Sequence, residues 1–306
     1  MTLRGDGFWL MGIPVTVTAD DPALLAAALA GYGGPAGPSA SPGAGAEAGG
    51  EPPLHLHLFL ATDIVRRDEI PLDIRVEGER ISLLGGGASG WADAARGEAR
   101  CVVAPALLAD PARLAAEVLD TLLLFVATRR GRVPVHASGV VAGGTAAVLA
   151  GPSGTGKSTL ALAAHRAGLP VLSDDTVYVQ TAPGLRVWGL PRPIHVFPHD
   201  APGGEDGAMR LRSGRWKRAV ALPAAPSPAG RAALFLLERG GRAALHPVET
   251  ETAVERMTAL LEPGFDHFRR ELPGVVRALS AGGAWRLTLS ADPADAVRLI
   301  RETLAS

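Results

Sequence analysis

Cysteine and long basic runs are scarce in this sequence. The only cysteine is Cys101, so no disulfide can form within the chain, and a reducing compartment such as the cytoplasm is expected. The net charge of −1 and the pI near 6.7 give no overall attraction to nucleic acid or to an anionic membrane. The N-terminal residues lack a basic segment followed by an apolar run, so no secretion signal is expected.

The sequence has one uncharged apolar run that is long enough to cross a membrane, but its pattern does not predict a helix. Residues 133–152 contain no Asp, Glu, Lys or Arg, and this is the length of a membrane-spanning helix. The glycine pair at 143–144 and the β-rich runs on either side favour a β-hairpin instead. No membrane partner is therefore expected.

Lysine is nearly absent although arginine is common. Of the 30 residues that are Lys or Arg, only Lys157 and Lys217 are lysines. The planar guanidinium of arginine does not replace a compact ammonium beside a polyphosphate. A lysine at position 157 therefore indicates a chemical requirement.

Lys157 belongs to a glycine-rich motif. The G-x-x-x-x-G-K-[ST] pattern of the P-loop is met by Gly151, Pro152, Ser153, Gly154, Thr155, Gly156, Lys157, Ser158 and Thr159. Glycines let such a loop aim several N–H groups at one anion, and the helix after it adds its positive dipole end. The pattern predicts a strand over 145–150 and a helix over 158–167, which is the context the motif needs. We expect a triphosphate site, with Lys157 at the β- and γ-phosphates and Ser158 on Mg²⁺.

Two adjacent carboxylates follow this motif closely. Asp174 and Asp175 follow Ser173 at the end of a predicted short strand over 169–172. Because the carboxyl ends of parallel strands meet at one edge of a sheet, we expect both near the γ-phosphate. One carboxylate can hold Mg²⁺ while the other accepts the proton of an attacking hydroxyl. A solvated Asp-Asp turn is the alternative interpretation.

Three segments together carry a family resemblance. They are the predicted strand 134–141 with His136, the glycine-rich motif, and Leu172-Ser173-Asp174-Asp175. In this order and spacing they resemble the catalytic domain of HPr kinase/phosphorylase and its HPr-kinase-like relatives, which include kinases of lasso-peptide and other modified-peptide biosynthesis. The resemblance implies an α/β fold with a P-loop kinase core of the HPr kinase/phosphoenolpyruvate carboxykinase type, with ATP and Mg²⁺ as cofactors.

The resemblance also implies roles for individual residues. His136 matches the active-site histidine of the family, and Lys157 with Ser158 matches its P-loop pair. We expect Asp174 to be the general base, assisted by His136, and Asp175 to lie nearer the metal. The implied acceptor is a serine hydroxyl on a peptide or small protein.

The second glycine-rich signature of true HPr kinases is missing beyond the paired acids. An acceptor other than HPr is therefore expected, and a precursor peptide of a natural product is one candidate. A small-molecule kinase acting on an amino acid or sugar, and a non-catalytic nucleotide switch, stay open as alternatives. A homo-oligomer is compatible with the sequence.

The length of the chain predicts two domains. We expect residues 1–108 to form a small, mostly β N-terminal domain of the α+β class with a flexible Gly/Pro/Ala-rich segment at 31–53, and the resemblance implies that residues 109–306 form an HPr-kinase-like catalytic domain. In the catalytic domain, Arg192 between two prolines and Lys217 in a basic stretch are candidates for binding substrate, with an exposed turn and a solvated charged loop as the alternatives. A lid is predicted at 198–207.

Overall fold

The chain is a mixed α/β protein that forms two compact units, Met1–Arg132 and Val133–Ser306. A computed structural model describes residues 4–32, 51–61, 72–190, 192–198, 209–212, 215–222 and 228–305. Most of the predicted flexible segment and of the predicted lid falls at 33–50 and 199–208, outside the described residues.

The bounds of the regular elements are as follows. The strands are β1 (Arg4–Leu10), β2 (Ile13–Ala19), β3 (Leu54–Leu60), β4 (Asp73–Glu77), β5 (Arg80–Gly85), β6 (Ala88–Asp93), β7 (Glu98–Val103), β8 (Val133–Val135), β9 (Ala137–Ala142), β10 (Thr145–Ala150), β11 (Val171–Ser173), β12 (Val177–Gln180), β13 (Arg186–Trp188), β14 (Ile194–Val196), β15 (Met209–Arg212), β16 (Arg215–Val220), β17 (Ala232–Arg239), β18 (Ala244–Pro247) and β19 (Ala284–Leu289). The α-helices are α1 (Pro22–Ala30), α2 (Pro111–Arg113), α3 (Asp120–Arg129), α4 (Lys157–Arg166), α5 (Thr250–Ala259), α6 (Leu272–Leu279) and α7 (Pro293–Ala305).

The first unit is built on a seven-stranded sheet in the order β1-β2-β3-β7-β6-β5-β4. The strict alternation in β3 buries Leu54, Leu56 and Leu58 on one face, as a period of two predicts. β1 and β2 form an antiparallel hairpin that turns at Met11 and Gly12, both with positive φ. The apolar pattern over 8–17 predicts a single strand, because it continues through a turn that only the backbone conformation reveals.

The boundary between the units lies later than the sequence predicts. α2, a π-helical turn at Leu114–Leu119 and α3 together form one helical stretch. Its residues Leu122, Leu123 and Val126 are buried, and α3 packs on β5 and β6 of the first sheet. Composition placed this stretch after a boundary at 108/109, because an apolar helical stripe does not disclose which sheet it covers.

The second unit is built on a six-stranded sheet in the order β11-β9-β10-β17-β19-β18. β9 runs antiparallel to both β10 and β11, so these two strands share a direction and their carboxyl ends lie at one edge. β17 and β19 are parallel to β10 and to each other, and β18 pairs with β19 rather than with β17. Two three-stranded sheets, β13-β12-β8 and β14-β16-β15, complete the unit.

Helices cover both faces of β10. Ala146 and Val148 belong to the apolar core on the side of α5 and α6, whereas Ala147 and Leu149 belong to the core on the side of α4 and α7. A strand buried on both faces reads as the continuous apolar run seen in the sequence. The edge at which β10 ends is therefore held by packing from two sides.

Within the described part of the chain, each helix is too short or too polar to cross a bilayer.

Candidate functional site

The glycine-rich loop, Gly151–Gly156, connects the end of β10 to the start of α4. Gly154 and Gly156 have φ of 81° and 121°, a region that L side chains rarely adopt. At Gly151 an added Cβ would lie 3.1 Å from the Leu237 carbonyl oxygen, because β17 passes directly beside the loop. The strand and helix predicted around the motif are thus confirmed, and the glycines are required where the motif has them.

Lys157 is the first residue of α4 and its side chain is buried. Its Nζ donates to the carbonyl oxygens of Gly151, at 2.7 Å, and of Pro152, at 3.3 Å. Burial lowers the pKa of Lys157, although three nearby carboxylates act to raise it. The ammonium is held inside the curve of the loop.

The other residues of the motif differ in exposure. Pro152, Ser153 and Gly154 are exposed, whereas Thr155 is buried and its Oγ1 donates to the Pro152 carbonyl oxygen at 2.7 Å. Ser158 and Thr159 are half-buried in the first turn of α4. The loop is therefore braced from within and open at its tip.

Asp174 follows β11 and is buried beside the loop. Its Oδ2 accepts the backbone N–H of His195 at 2.9 Å, and the Ser138 hydroxyl donates to its main-chain carbonyl. Burial raises the pKa of Asp174, while hydrogen bonds from His195 and from the Ser158 side chain lower it. Its buried Oδ1 has no hydrogen-bond partner among the described residues.

Asp175 points to a different neighbour. Its Oδ1 lies 3.3 Å from Nε2 of His136, and 79% of its side chain is exposed. The hydrogen bond from His136 lowers the pKa of Asp175, and the charges of Lys157 and Lys217 act in the same direction. The expected position of Asp175 nearer the metal stays a prediction, and the Ser158 side chain hydrogen-bonds to Asp174 rather than to Asp175.

His136 lies where the chain leaves one sheet for another. β8 belongs to the sheet β13-β12-β8, β9 belongs to the six-stranded sheet, and His136 is the residue between them. Its Nδ1 is 3.1 Å from Oε2 of Glu262, and its ring stacks on Phe265 with centroids 5.3 Å apart. The predicted single strand over 134–141 is thus two strands with the histidine at the break.

The two substrate candidates have different surroundings. Lys217 lies on β16, and its charge acts on Lys157 and on both carboxylates. Its Nζ lies 5.5 Å from the centre of the Phe197 ring. Arg192 donates its backbone N–H to the Leu190 carbonyl oxygen, and its role toward substrate stays a prediction.

Sequence reasoning missed three residues that the fold brings here. Glu262 and Phe265 reach His136 from the turn after α5, and Arg239 Nη2 donates to the Gly154 carbonyl oxygen at 2.9 Å from the end of β17. β17 is parallel to β10, so its last residue reaches the same edge as the loop. The place of Arg239 at the end of a strand parallel to β10 could have predicted its approach to the loop. No local sequence pattern predicts the approach of Glu262 to His136.

A bound Mg²⁺ and triphosphate fit these residues. Mg²⁺ is usually held by one or two carboxylates together with substrate phosphates. The unpartnered buried Oδ1 of Asp174 and the neighbouring Ser158 hydroxyl are donors of that kind. Within the described ranges no cluster of three or more His, Cys, Asp or Glu forms a metal cage, so phosphate oxygens would have to complete the coordination.

Comparisons with known proteins add little. The sequence matches no protein-family model and no curated protein. Among solved structures, the Hpr(Ser) kinase/phosphatase from Coxiella burnetii is similar over 56% of this chain and 93% of its own, with 13% identity and a TM-score of 0.29. This likeness is weak, so the function proposed below rests on the side chains of the site.

Proposed function

We propose that this protein is an ATP- and Mg²⁺-dependent phosphotransferase that phosphorylates a serine-type hydroxyl of a peptide or small protein. One observation carries the proposal. A glycine-rich loop with a buried lysine and a pair of carboxylates with a histidine lie together at the carboxyl edge of the six-stranded sheet. A loop that only bound nucleotide would not need the second half of this site.

The donor half binds the triphosphate. Bound MgATP would supply the electrophilic γ-phosphorus and the metal charge that neutralises the phosphate oxygens. Loop N–H groups and the start of α4 would bind phosphate oxygens, and the Lys157 ammonium would donate to the phosphates in place of the loop carbonyls. Ser158 and Asp174 would hold the metal, because Asp174 has a buried oxygen without a hydrogen-bond partner among the described residues and its carboxylate is hydrogen-bonded by the Ser158 side chain.

The other half of the site accepts the proton. The acceptor oxygen bonds to the γ-phosphorus as the bond from that phosphorus to the β,γ-bridging oxygen breaks, and ADP leaves with the bridging oxygen. The proton of the acceptor hydroxyl passes to the Asp175 carboxylate, which is exposed and oriented by His136. The contacts of the two acids therefore favour Asp175 as the base and Asp174 as the metal ligand, the reverse of the assignment made from sequence.

The acceptor half has features that suit a peptide. Lys217 on β16 acts electrostatically on both carboxylates, so it lies where an acidic group of a peptide acceptor would meet it. Arg215, two residues earlier and therefore on the same face of the strand, lies with Lys217 against the Phe197 ring. Because the sequence resembles kinases of modified-peptide biosynthesis, a precursor peptide of a natural product is the first acceptor class to test.

The test is acceptor-dependent release of ADP. Synthetic peptides with a single serine, the same peptides with alanine in its place, and free serine are each incubated with the protein, ATP and Mg²⁺. We expect ADP release with serine peptides alone. Release with free serine would identify a small-molecule kinase, and nucleotide binding without acceptor-dependent release would identify a binding module.

A further inference from the structure

His136 is held on three sides, and one of the groups that hold it is not explained by phosphate transfer. Nε2 faces Asp175, the ring face lies on Phe265, and Nδ1 faces Oε2 of Glu262 at 3.1 Å. We propose that Glu262 is a positioning residue, which binds Nδ1 of His136 and so directs Nε2 at the Asp175 carboxylate. This inference rests on the function proposed above, because it assigns a role in the same site.

Glu262 is built to hold one orientation. It follows α5 in a turn where the Phe265 N–H donates to the Glu262 carbonyl oxygen at 3.1 Å. Gly264 has a φ of 93°, and its N–H donates to Oδ1 of Asp266 at 2.9 Å. The two residues that touch the imidazole therefore belong to one hydrogen-bonded turn, which fixes them relative to each other.

The imidazole needs this support because of its place in the chain. His136 lies between β8 and β9, at a point where no ladder continues through it. Both ring nitrogens face carboxylate oxygens, so with a proton on each nitrogen the imidazole donates Nδ1–H to Glu262 and Nε2–H to Asp175. The contact at Nδ1 therefore fixes the ring orientation in which Nε2–H points at Asp175.

A merely structural ion pair is the competing explanation, and exposure argues against it. Glu262 exposes 39% of its side chain, and ion pairs that are open to water contribute little to stability. Removal of the carboxylate should therefore leave the fold intact. The charge of Glu262 also reaches Lys157, which places the carboxylate within the electrostatic range of the loop.

The kinetic test uses three variants. Glu262→Ala removes the acceptor at Nδ1, Glu262→Gln keeps an acceptor oxygen of the same length, and Glu255→Ala removes an exposed glutamate from α5 as the control. We expect Glu262→Ala to lower kcat by about 10-fold to 100-fold, the cost of losing the group that orients a functional histidine in metal sites. We expect Glu262→Gln to restore most of kcat. In both Glu262 variants, KM for ATP should stay within about twofold of the wild-type value, and Tm should stay within about 2 °C of it.

A spectroscopic test does not depend on turnover. The proton on Nδ1 of His136 should give a solvent-protected NMR signal in the wild type, assigned by its loss in His136→Gln. Glu262→Ala should remove that signal, whereas Glu255→Ala should keep it. If the wild type transfers no phosphate, the proposed function fails, but this signal still decides whether Glu262 holds the ring. Persistence of the signal in Glu262→Ala, or an unchanged kcat, would overturn the inference.

Discussion

Nε2 of His136 lies 3.3 Å from Oδ1 of Asp175, although His136 directly precedes β9 and Asp175 comes after the end of β11. β9 pairs with both β10 and β11, and its first residues therefore start beside the carboxyl ends of both neighbours. The histidine and the carboxylate meet there because of that pairing. Asp174 turns instead toward Ser158 and the His195 N–H.

The division of roles between the two acids can be tested by kinetics. Asp175→Asn should lower kcat by about 10²-fold to 10⁴-fold with nucleotide affinity retained, because it removes the base. Asp174→Asn should instead raise the Mg²⁺ concentration needed for half-maximal rate, because it removes a metal ligand. The measurement is kcat against Mg²⁺ concentration for both variants. If the two variants exchanged these effects, the assignment made from sequence would stand.

Lys157 should not tolerate arginine. The guanidinium is larger than the ammonium and cannot fit the buried curve where Nζ contacts Gly151 and Pro152. Lys157→Arg should lower kcat by at least about 10²-fold, the usual effect of losing one donor to developing charge. Arg298→Lys on the exposed face of α7 is the control and should change kcat by less than about twofold. Full activity of Lys157→Arg would count against a phosphate contact.

The loop conformation can be tested with two glycines. Gly156→Ala forces a side chain to a φ of 121° and places its Cβ 3.3 Å from Leu289 Cδ1. Strain of this kind costs about 1–3 kcal/mol, and the loop would move away from its phosphate-binding conformation to avoid it. Nucleotide affinity should therefore fall by roughly 10-fold to 100-fold. Gly168→Ala also has positive φ but lies after α4 with open space around it, so affinity should not change. Equal affinities in a nucleotide titration would contradict the loop's role.

The burial of Asp174 should show in stability. Its folded pKa is raised, so its ionised form is penalised in the folded state above that pKa, and the penalty disappears as pH falls below the unfolded pKa. Asp174→Asn should therefore raise the free energy of unfolding by about 1 kcal/mol near pH 8, with a gain that shrinks toward pH 4. The free energies of unfolding of the variant and the wild type are measured by denaturant titration at each pH, in the presence of EDTA and the absence of nucleotide so that no ligand is bound. A variant less stable than wild type at pH 8 would be the contrary result.

Local patterns predicted the strand and the helix on either side of the glycine-rich loop. The buried run of β10 and the glycines before α4 each have a signature within a few residues. The paired acids were placed correctly at the edge because strand direction follows from the crossover. Each of these inferences needed information from neighbouring residues alone.

Long-range pairing was not predictable in the same way. Which acid faces His136 depends on the register of β9 and β11, and the approach of Glu262 depends on how the turn after α5 packs. Neither relationship leaves a periodic pattern in the sequence. The unit that α3 joins was misjudged for the same reason, since packing decides it.

Mass spectrometry of peptides measures the central claim most directly. A library of single-serine peptides is incubated with the protein, ATP and Mg²⁺, beside reactions that use Asp175→Asn or peptides with alanine at the serine. The account predicts a phosphate adduct on serine with wild-type protein and its near absence in both controls. Wild-type protein that binds ATP yet gives no adduct, or Asp175→Asn that gives as much as wild type, would contradict it.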